Sequence, residues 1–202
     1  RDILDSGAVP SVMLTEIFRQ DEKSMIVYNA HRINHGEAPR LNAKGSDFFF
    51  ERAMSPTDAA RRIVKLCAER LPGFTGLDPV RQMQVLSPTK KGDCGVWMLN
   101  QMLQSEFNPP APHKLERTRG DTTFREGDKV MQLRNNYGAE WRTDYFTSSG
   151  EGVFNGDMGI VESVDAASKK MTVRMDERII DYEGEMLEEL DLAYAITVHK
   201  SQ

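Results

Sequence analysis

Cysteine is scarce in this sequence, with only Cys67 and Cys94 among 202 residues. The two lie far apart and without metal-ligand spacing, which argues against a disulfide-framed secreted module and marks both as reduced and structural. Long apolar runs are also missing. No stretch approaches the roughly 18 residues needed to cross a bilayer, and no basic-then-apolar leader opens the chain. The expected compartment is therefore the cytoplasm, and no membrane is expected as a partner. Basic excess is lacking as well: the formal net charge is -5, the opposite of a domain that coats duplex phosphates. The phosphate-cradling Gly-x-x-x-x-Gly-Lys-Ser/Thr loop does not occur, nor does a His-Glu-x-x-His, a Cys-x-x-Cys or a nucleophile elbow. No acidic pair follows a strand where it would hold magnesium, and no carboxylate cluster has nuclease character. These 202 residues alone are not expected to hydrolyse ATP, and no metal ligands are expected among them.

What is present is an ordinary globular composition, 39% hydrophobic and 28% charged, enough for one core or one core with a small appended module. Charge is uneven. Residues 1–100 carry 14 basic and 12 acidic side chains, residues 101–202 carry 12 and 19, and residues 151–202 carry 5 and 12. A protein that tracks one strand needs only a local groove of phosphate contacts and stacking rings, so net charge does not decide against nucleic acid.

The first part alternates between strands and helices. A short helical end at residues 2–7 leads to an expected strand at Ser11-Val-Met-Leu14. Asp21 or Ser24 can cap a helix with an apolar stripe of Ile26, Ala30 and Ile33, stopped by Gly36. Asp47-Phe-Phe-Phe50 reads as a buried strand. Ser55-Pro56-Thr57-Asp58 opens a helix to about residue 70, before Pro72-Gly73, with Ala59, Ile63, Leu66 and Cys67 inward. Met83-Gln-Val-Leu86 then reads as a strand, residues 87–95 as a polar loop, and residues 96–107 as a helix ended by Asn108-Pro109-Pro110. Such alternation favours a parallel α/β sheet.

After residue 124 the texture changes to short strands with hairpin punctuation: residues 129–133, the turn Asn155-Gly156-Asp157, residues 159–164 and residues 171–175. Residues 138–152 show no apolar period and read as a loop. A small antiparallel barrel over about residues 155–190 is the economical assignment. Its flanks, residues 129–137 and 193–198, are expected as strands returning to the first sheet.

Two polar segments have the chemistry to hold phosphates. In one, Ser87, Thr89, Lys90 and Lys91 gather hydroxyls and two ammonium groups at a strand end. In the other, Thr197, His199, Lys200 and Ser201 follow an apolar strand, from which donors can position a nucleic-acid strand without reading its sequence. Taken alone, either is equally a solvated loop, and His199 equally a structural histidine.

Six segments in chain order resemble RecD-like superfamily 1 DNA helicases. They are Leu14-Thr-Glu-Ile-Phe-Arg-Gln20; Ala30-His-Arg-Ile-Asn-His-Gly36; Gln84-Val-Leu-Ser-Pro-Thr-Lys-Lys-Gly92 with Leu99-Asn100; Phe124-Arg-Glu-Gly-Asp-Lys-Val-Met-Gln132 with Asn135-Asn-Tyr137; Val153-Phe-Asn-Gly-Asp157; and residues 192–202. The resemblance implies a RecA-like, P-loop-NTPase-type second motor domain with an inserted SH3-like barrel. Its expected divisions are residues 1–137, a loop at 138–152, the barrel at 153–190, and a return strand at 191–202 ending in part of motif V. Both ends are expected to be cut from a longer motor.

By the same resemblance, Arg19 is the motif IV arginine that reaches the γ-phosphate, with Glu16 and Gln20 beside the nucleotide. Taken alone, Arg19 is a surface arginine. Ser87, Thr89, Lys90, Lys91, Thr197, His199, Lys200 and Ser201 become single-stranded DNA contacts. ATP and Mg2+ would be held mainly by a first motor domain outside this sequence, and recombination subunits are further expected partners. The implied activity is ATP-driven 5′-to-3′ translocation and unwinding in DNA recombination and repair, of the exodeoxyribonuclease V alpha subunit type. Two other readings stay open: the helicase part of a conjugative relaxase, and a non-enzymatic SH3-like adaptor.

Overall fold

The computed structural model describes residues 2–12, 24–165 and 167–201. The chain divides into two units, Arg1–Arg52 and Ala53–Gln202.

The first unit contains helices α1 (Asp2–Asp5) and α2 (Met25–Asn34). Ser24 caps α2, its Oγ accepting from the Ile26 and Val27 amides, while Gly36 at φ 78° follows its end. Asp47 accepts from the Ser24 hydroxyl and from the Met25 amide at 2.8 Å, placing an anion on the helix start. The buried side chain is Asn29, which grips the Arg40 backbone with both amide atoms at 2.7 and 2.9 Å. Two expectations fail here. Ile26, Ala30 and Ile33 are exposed, because helical spacing predicts the stripe but not what covers it. Residues 47–50 form no strand: Asn42 satisfies both the N–H and the C=O of Phe50, so a side chain occupies the groups a ladder would need. Of the expected strand at residues 11–14, Ser11 and Val12 are irregular, and Met13 and Leu14 lie outside the described residues.

The second unit opens with α3 (Pro56–Lys65). Ser55 accepts from the Asp58 amide and Asp58 accepts from the Met54 amide, a reciprocal cap with proline at the first position. A π turn (Leu66–Arg70) and α4 (Leu71–Thr75) carry the helix through Pro72-Gly73. Proline offers no N–H to a carbonyl four residues back, and the turn widens there instead of stopping. Gly76 at φ 71° ends it. The inward face is Ala60, Ile63, Val64 and Cys67, with Ala60 buried where Ala59 was expected.

Strand β1 (Val85–Ser87) leads through a loop to α5 (Val96–Phe107), and the hairpin β2 (Glu116–Arg119) and β3 (Thr122–Arg125) follows. Seven further strands make an antiparallel sheet: β4 (Lys129–Gln132), β5 (Asn136–Arg142), β6 (Ser149–Val153), β7 (Met158–Asp165), β8 (Lys170–Met175), β9 (Arg178–Tyr182) and β10 (Leu190–Leu192), in spatial order β10-β4-β7-β8-β9-β5-β6. Alternation is clean in β8, where every second residue is buried. The chain returns as β11 (Ala195–Thr197), parallel to β1. Among the described residues this is the one parallel pair.

Two assignments are corrected by the pairing. Residues 138–152 hold the β5–β6 hairpin, with a bulge between Asn136 and Glu140. The bulge breaks the two-residue period, and the glycines of β6 hide it further, since Gly150 serves as the bed for the Trp141 ring. The strand at Lys129 pairs with β7 and β10 rather than with the first sheet, and only β11 returns to β1.

The main core is shared across the unit, beside a smaller cluster of Met131, Ala193 and Ile196. Phe124, Val153, Val173, Ile180 and Tyr182 of the sheet pack in the same buried cluster as Ala60, Leu99, Leu103, Tyr194 and Ala195.

Candidate nucleic-acid interface

The register of β1 on β11 sets the geometry. Val85 lies opposite Ala195, Leu86 opposite Ile196, and Ser87 opposite Thr197. Because the strands are parallel, the loop after Ser87 and the turn after Thr197 leave the same edge, at the carboxyl ends of neighbouring strands. The two phosphate-binding candidates, separated by more than a hundred residues of sequence, are thus brought together.

Each loop is shaped by its own polar atoms. Ser87 is buried, and its hydroxyl donates to the carbonyls of Cys94 at 2.9 Å and Thr89 at 3.2 Å. It is therefore a brace of the loop, and its hydroxyl is not offered outward. The Thr89 and Lys90 carbonyls accept from the Val96 and Trp97 amides at 3.0 and 3.2 Å. This occupies donors at the start of α5, so the loop, and not a bare helix terminus, faces outward. Gly95 is required for that closure: a Cβ there would stand 2.5 Å from the Lys91 carbonyl oxygen. Thr89, Lys90 and Lys91 are exposed, and the Lys91 ammonium sits 5.5 Å from the centre of the half-exposed Trp97 ring.

On the other strand, a 3-10 turn (Val198–Lys200) follows β11. Thr197 is half-buried and His199 exposed. Ser201 turns its hydroxyl back to the Val198 carbonyl at 2.7 Å. Lys200 donates to the Leu133 carbonyl at 3.1 Å and to the Asn155 side chain. Both acceptors are uncharged, so the ammonium is located without being neutralised.

Buried polar atoms fix this edge to the rest of the unit. Asn100 of α5 donates to the Leu192 and Ala195 carbonyls at 2.9 and 3.0 Å and accepts from the Ala195 amide at 2.7 Å. Gln84 donates to the Ala193 and Tyr194 carbonyls. Asp128, buried, accepts from Gln104 and Asn108 at 2.6 Å, the Arg125 amide at 2.7 Å and the Tyr194 hydroxyl at 2.9 Å. Burial raises its carboxyl above the ordinary range despite these four donors, and burial with the Asp128 charge raises the Tyr194 hydroxyl. Lys129 donates to the Met83 carbonyl at 2.9 Å, its ammonium pushed below the usual range by burial.

Arg19, Glu16 and Gln20 lie outside the described residues. No helix among the described residues is long and apolar enough to cross a membrane. A cavity of about 870 Å³ between α5, the β2–β3 hairpin and β10 is lined by Arg119 and Arg125. Arg119 faces Glu188 and Asp191 at 4.0 and 3.9 Å and Arg125 pairs with Glu116, so carboxylates already counter both guanidinium charges.

Residues 99–175, from α5 through β8, match the family model described as the ATP-dependent RecD-like DNA helicase SH3 domain. Over 195 residues, 96% of the chain, the sequence is 33% identical to the ATP-dependent RecD2 DNA helicase of Deinococcus radiodurans. The chain is RecD-like. An uncharacterized protein of Methanocaldococcus jannaschii is 33% identical over 135 residues, 60% of the chain. The chain spans 24% of the first relative and 11% of the second. Residues 99–175, which include strands β4 to β8 of the antiparallel sheet, are thus similar to the SH3 domain of RecD-like helicases. The family match begins in α5, well before residue 153.

In the sequence, Asn135-Asn-Tyr137 and Val153-Phe-Asn-Gly-Asp157 carry the resemblance and a turn, with no binding role. Asn155, which seats Lys200, belongs to the second, and its proximity to residue 200 was visible only through the fold.

Proposed function

We propose that this chain supplies the second RecA-like half, with its SH3-like insertion, of an ATP-driven DNA helicase motor, and that the carboxyl edge of β1 and β11 is its single-stranded DNA track. The observation that carries the reading is the parallel register of Ser87 on Thr197, by which the loop bearing the exposed Lys90 and Lys91 and the turn bearing His199 and Lys200 leave the same sheet edge. Phosphates would bridge these groups, and the braced loops would hold them without readout of base identity. The name of the Deinococcus relative, an ATP-dependent DNA helicase, supports the same assignment.

In this reading ATP and Mg2+ are held mainly by a first motor domain, and Arg19 reaches across the cleft to the γ-phosphate. There its planar donors stabilise charge spread over the phosphoryl oxygens. Glu16 and Gln20 flank the nucleotide. Translocation runs 5′ to 3′, and the cellular setting is recombination and repair, as for an exodeoxyribonuclease V alpha subunit.

The test is binding of a fluorescent oligo-dT to the chain, read by anisotropy over a salt series. Each phosphate contact on a single strand contributes about -0.7 to the slope of log affinity against log salt. Replacing Lys90 and Lys91 with alanine should weaken binding and flatten the slope by about 1.4, and His199→Ala should weaken it further. Unchanged affinity and slope in the triple variant would reject this edge as the track.

A further inference from the structure

Lys200 leads to a surface that the phosphate-binding loops do not include. Its ammonium is seated on the Asn155 side chain and the Leu133 carbonyl. The Asn155 backbone N–H in turn donates to Asn135 Oδ1 at 2.9 Å, and the Asn135 side-chain amide donates to the Tyr137 hydroxyl at 3.3 Å. Tyr137, 71% exposed, meets Phe154, 44% exposed, with ring centres 5.8 Å apart and planes at 75°. A path of hydrogen-bonded residues, passing through the Asn155 backbone, therefore runs from the end of β11 to two exposed rings on the SH3-like sheet.

The rings are held in place. Phe154 lies across Gly152, where an added Cβ would come within 3.2 Å of the ring and where φ is 102°. Its amide is fixed by Asp157 at 3.0 Å, and Tyr137 stands edge-on against it. Two large aromatic side chains left in water cost hydration free energy that folding does not recover, and their mutual packing leaves ring faces free.

Charge around the rings selects the occupant. The nearby carboxylates are already engaged: Asp157 pairs with Arg178 at 3.0 Å, and Glu189 accepts from Gln132, Arg134 and Asn136. Among the described residues, Lys200 is the cation at this end that sits on uncharged acceptors. Further along the hairpin, Glu140 and Glu151 face each other across β5 and β6, which disfavours phosphate on that side. A ligand with flat apolar faces and a linked anionic backbone fits this polarity, with its rings on Tyr137 and Phe154 and its phosphates toward Lys200.

Resting on the reading of the β1–β11 edge as a single-strand track, we infer that Tyr137 and Phe154 form a base-stacking platform. It extends the track onto the SH3-like sheet and holds one or two nucleotides beyond those gripped by Lys200. Stacking needs only a ring face, so the platform does not select among bases.

The experiment uses the chain with oligo-dT carrying one 2-aminopurine, moved position by position, alongside anisotropy over a salt series. Tyr137→Ala and Phe154→Ala should each weaken binding about tenfold, the scale of one lost base stack. They should abolish the 2-aminopurine intensity change at one or two adjacent positions and leave the salt slope unchanged. Lys200→Ala should flatten the slope while keeping the 2-aminopurine signal at saturating protein. Tyr137→Phe keeps the ring and should keep both affinity and signal. It also separates loss of stacking from any disturbance caused by the alanine changes, whose folding is checked by circular dichroism. Parent-like affinity and 2-aminopurine signals in both alanine variants, with the Lys90, Lys91 and His199 variants still impaired, would overturn the platform and leave the track standing. Absence of any binding by the parent chain would overturn both. Retained DNA binding with loss of a bound protein partner in the alanine variants would reassign the rings to protein docking.

Discussion

Two buried carboxylates show how a side chain's surroundings decide its charge here. Asp128 and Glu189 each collect several donors, but their shifts have opposite signs. For Glu189, burial opposes ionisation, while hydrogen bonds from Asn136, Gln132 and Arg134 together outweigh it and hold the carboxyl below its ordinary value of 4.5. For Asp128, burial wins over the donors and the carboxyl sits above 3.8. The linkage follows from the signs. Glu189 contributes stability that is fully present above pH 4.5 and is lost as pH falls through its lower folded value. Asp128 acts the other way, its raised value withdrawing stability as pH climbs from 3.8. Glu189→Gln should therefore flatten the acid limb of a melting-temperature curve below pH 4.5. At neutral pH it should cost about 2 kcal/mol, because an amide N–H₂ would then face donor groups. A variant whose acid limb matches the parent would show that another carboxylate governs acid stability.

At the scale of elements, the loop joining β1 to α5 converts a strand end into a binding edge. Its tight closure rests on Gly95, and Gly95→Ala would force the Lys90 and Lys91 carbonyls away from the start of α5. The expected result is a loss of about 1–3 kcal/mol in stability from backbone displacement and several-fold weaker oligo-dT binding, checked by urea melts and anisotropy. Stable folding with full binding would show the loop to be plastic. Much of this region was legible beforehand. Ser55-Pro56-Thr57-Asp58 reads as a helix start because the cap and the proline act within one turn, and Asn108-Pro109-Pro110 reads as a stop for the same local reason. The antiparallel, SH3-like part was legible too, since β8 alternates without interruption, whereas of the expected parallel α/β layer the described residues show one strand pair, β1 with β11. What stayed hidden depends on partners distant in sequence. The β5–β6 hairpin was masked by a bulge and by glycine opposite Trp141. The burial of Ser87 is the exception, hidden although its partners, the Thr89 and Cys94 carbonyls, lie in its own loop, because a polar loop residue reads as exposed. The neighbouring of residues 87 and 197, on which the candidate site depends, comes from a parallel pairing that no local pattern announces.

For the whole molecule, the question is whether the SH3-like sheet is a detachable attachment. Chain order suggests one, a barrel over about residues 155–190 that leaves and re-enters one scaffold. The packing argues otherwise. Within the second unit, β4 lies between β7 and β10, and residues 155–190 contain β7, β8 and β9, the central strands of the sheet. Their buried Val161, Val173 and Ile180 share one cluster with Leu99, Leu103 and Tyr194. Asp128 and Asn100 then tie that cluster to the strand that ends in the candidate track. Replacing residues 155–190 with a short Gly/Ser linker should therefore remove more than a guide surface. It strips β4 of one neighbour, leaves the β5–β6 hairpin without β9, and opens the shared core to water. Losing several fully buried side chains at about 1.5–3 kcal/mol each exceeds the stability of a typical domain. The expected outcome is loss of the cooperative urea transition of the second unit, together with loss of oligo-dT binding. A linker variant that keeps a cooperative transition and binds oligo-dT like the parent would show that α3, α5 and the β1–β11 pair stand without the sheet. The SH3-like part would then be separable from the track it adjoins.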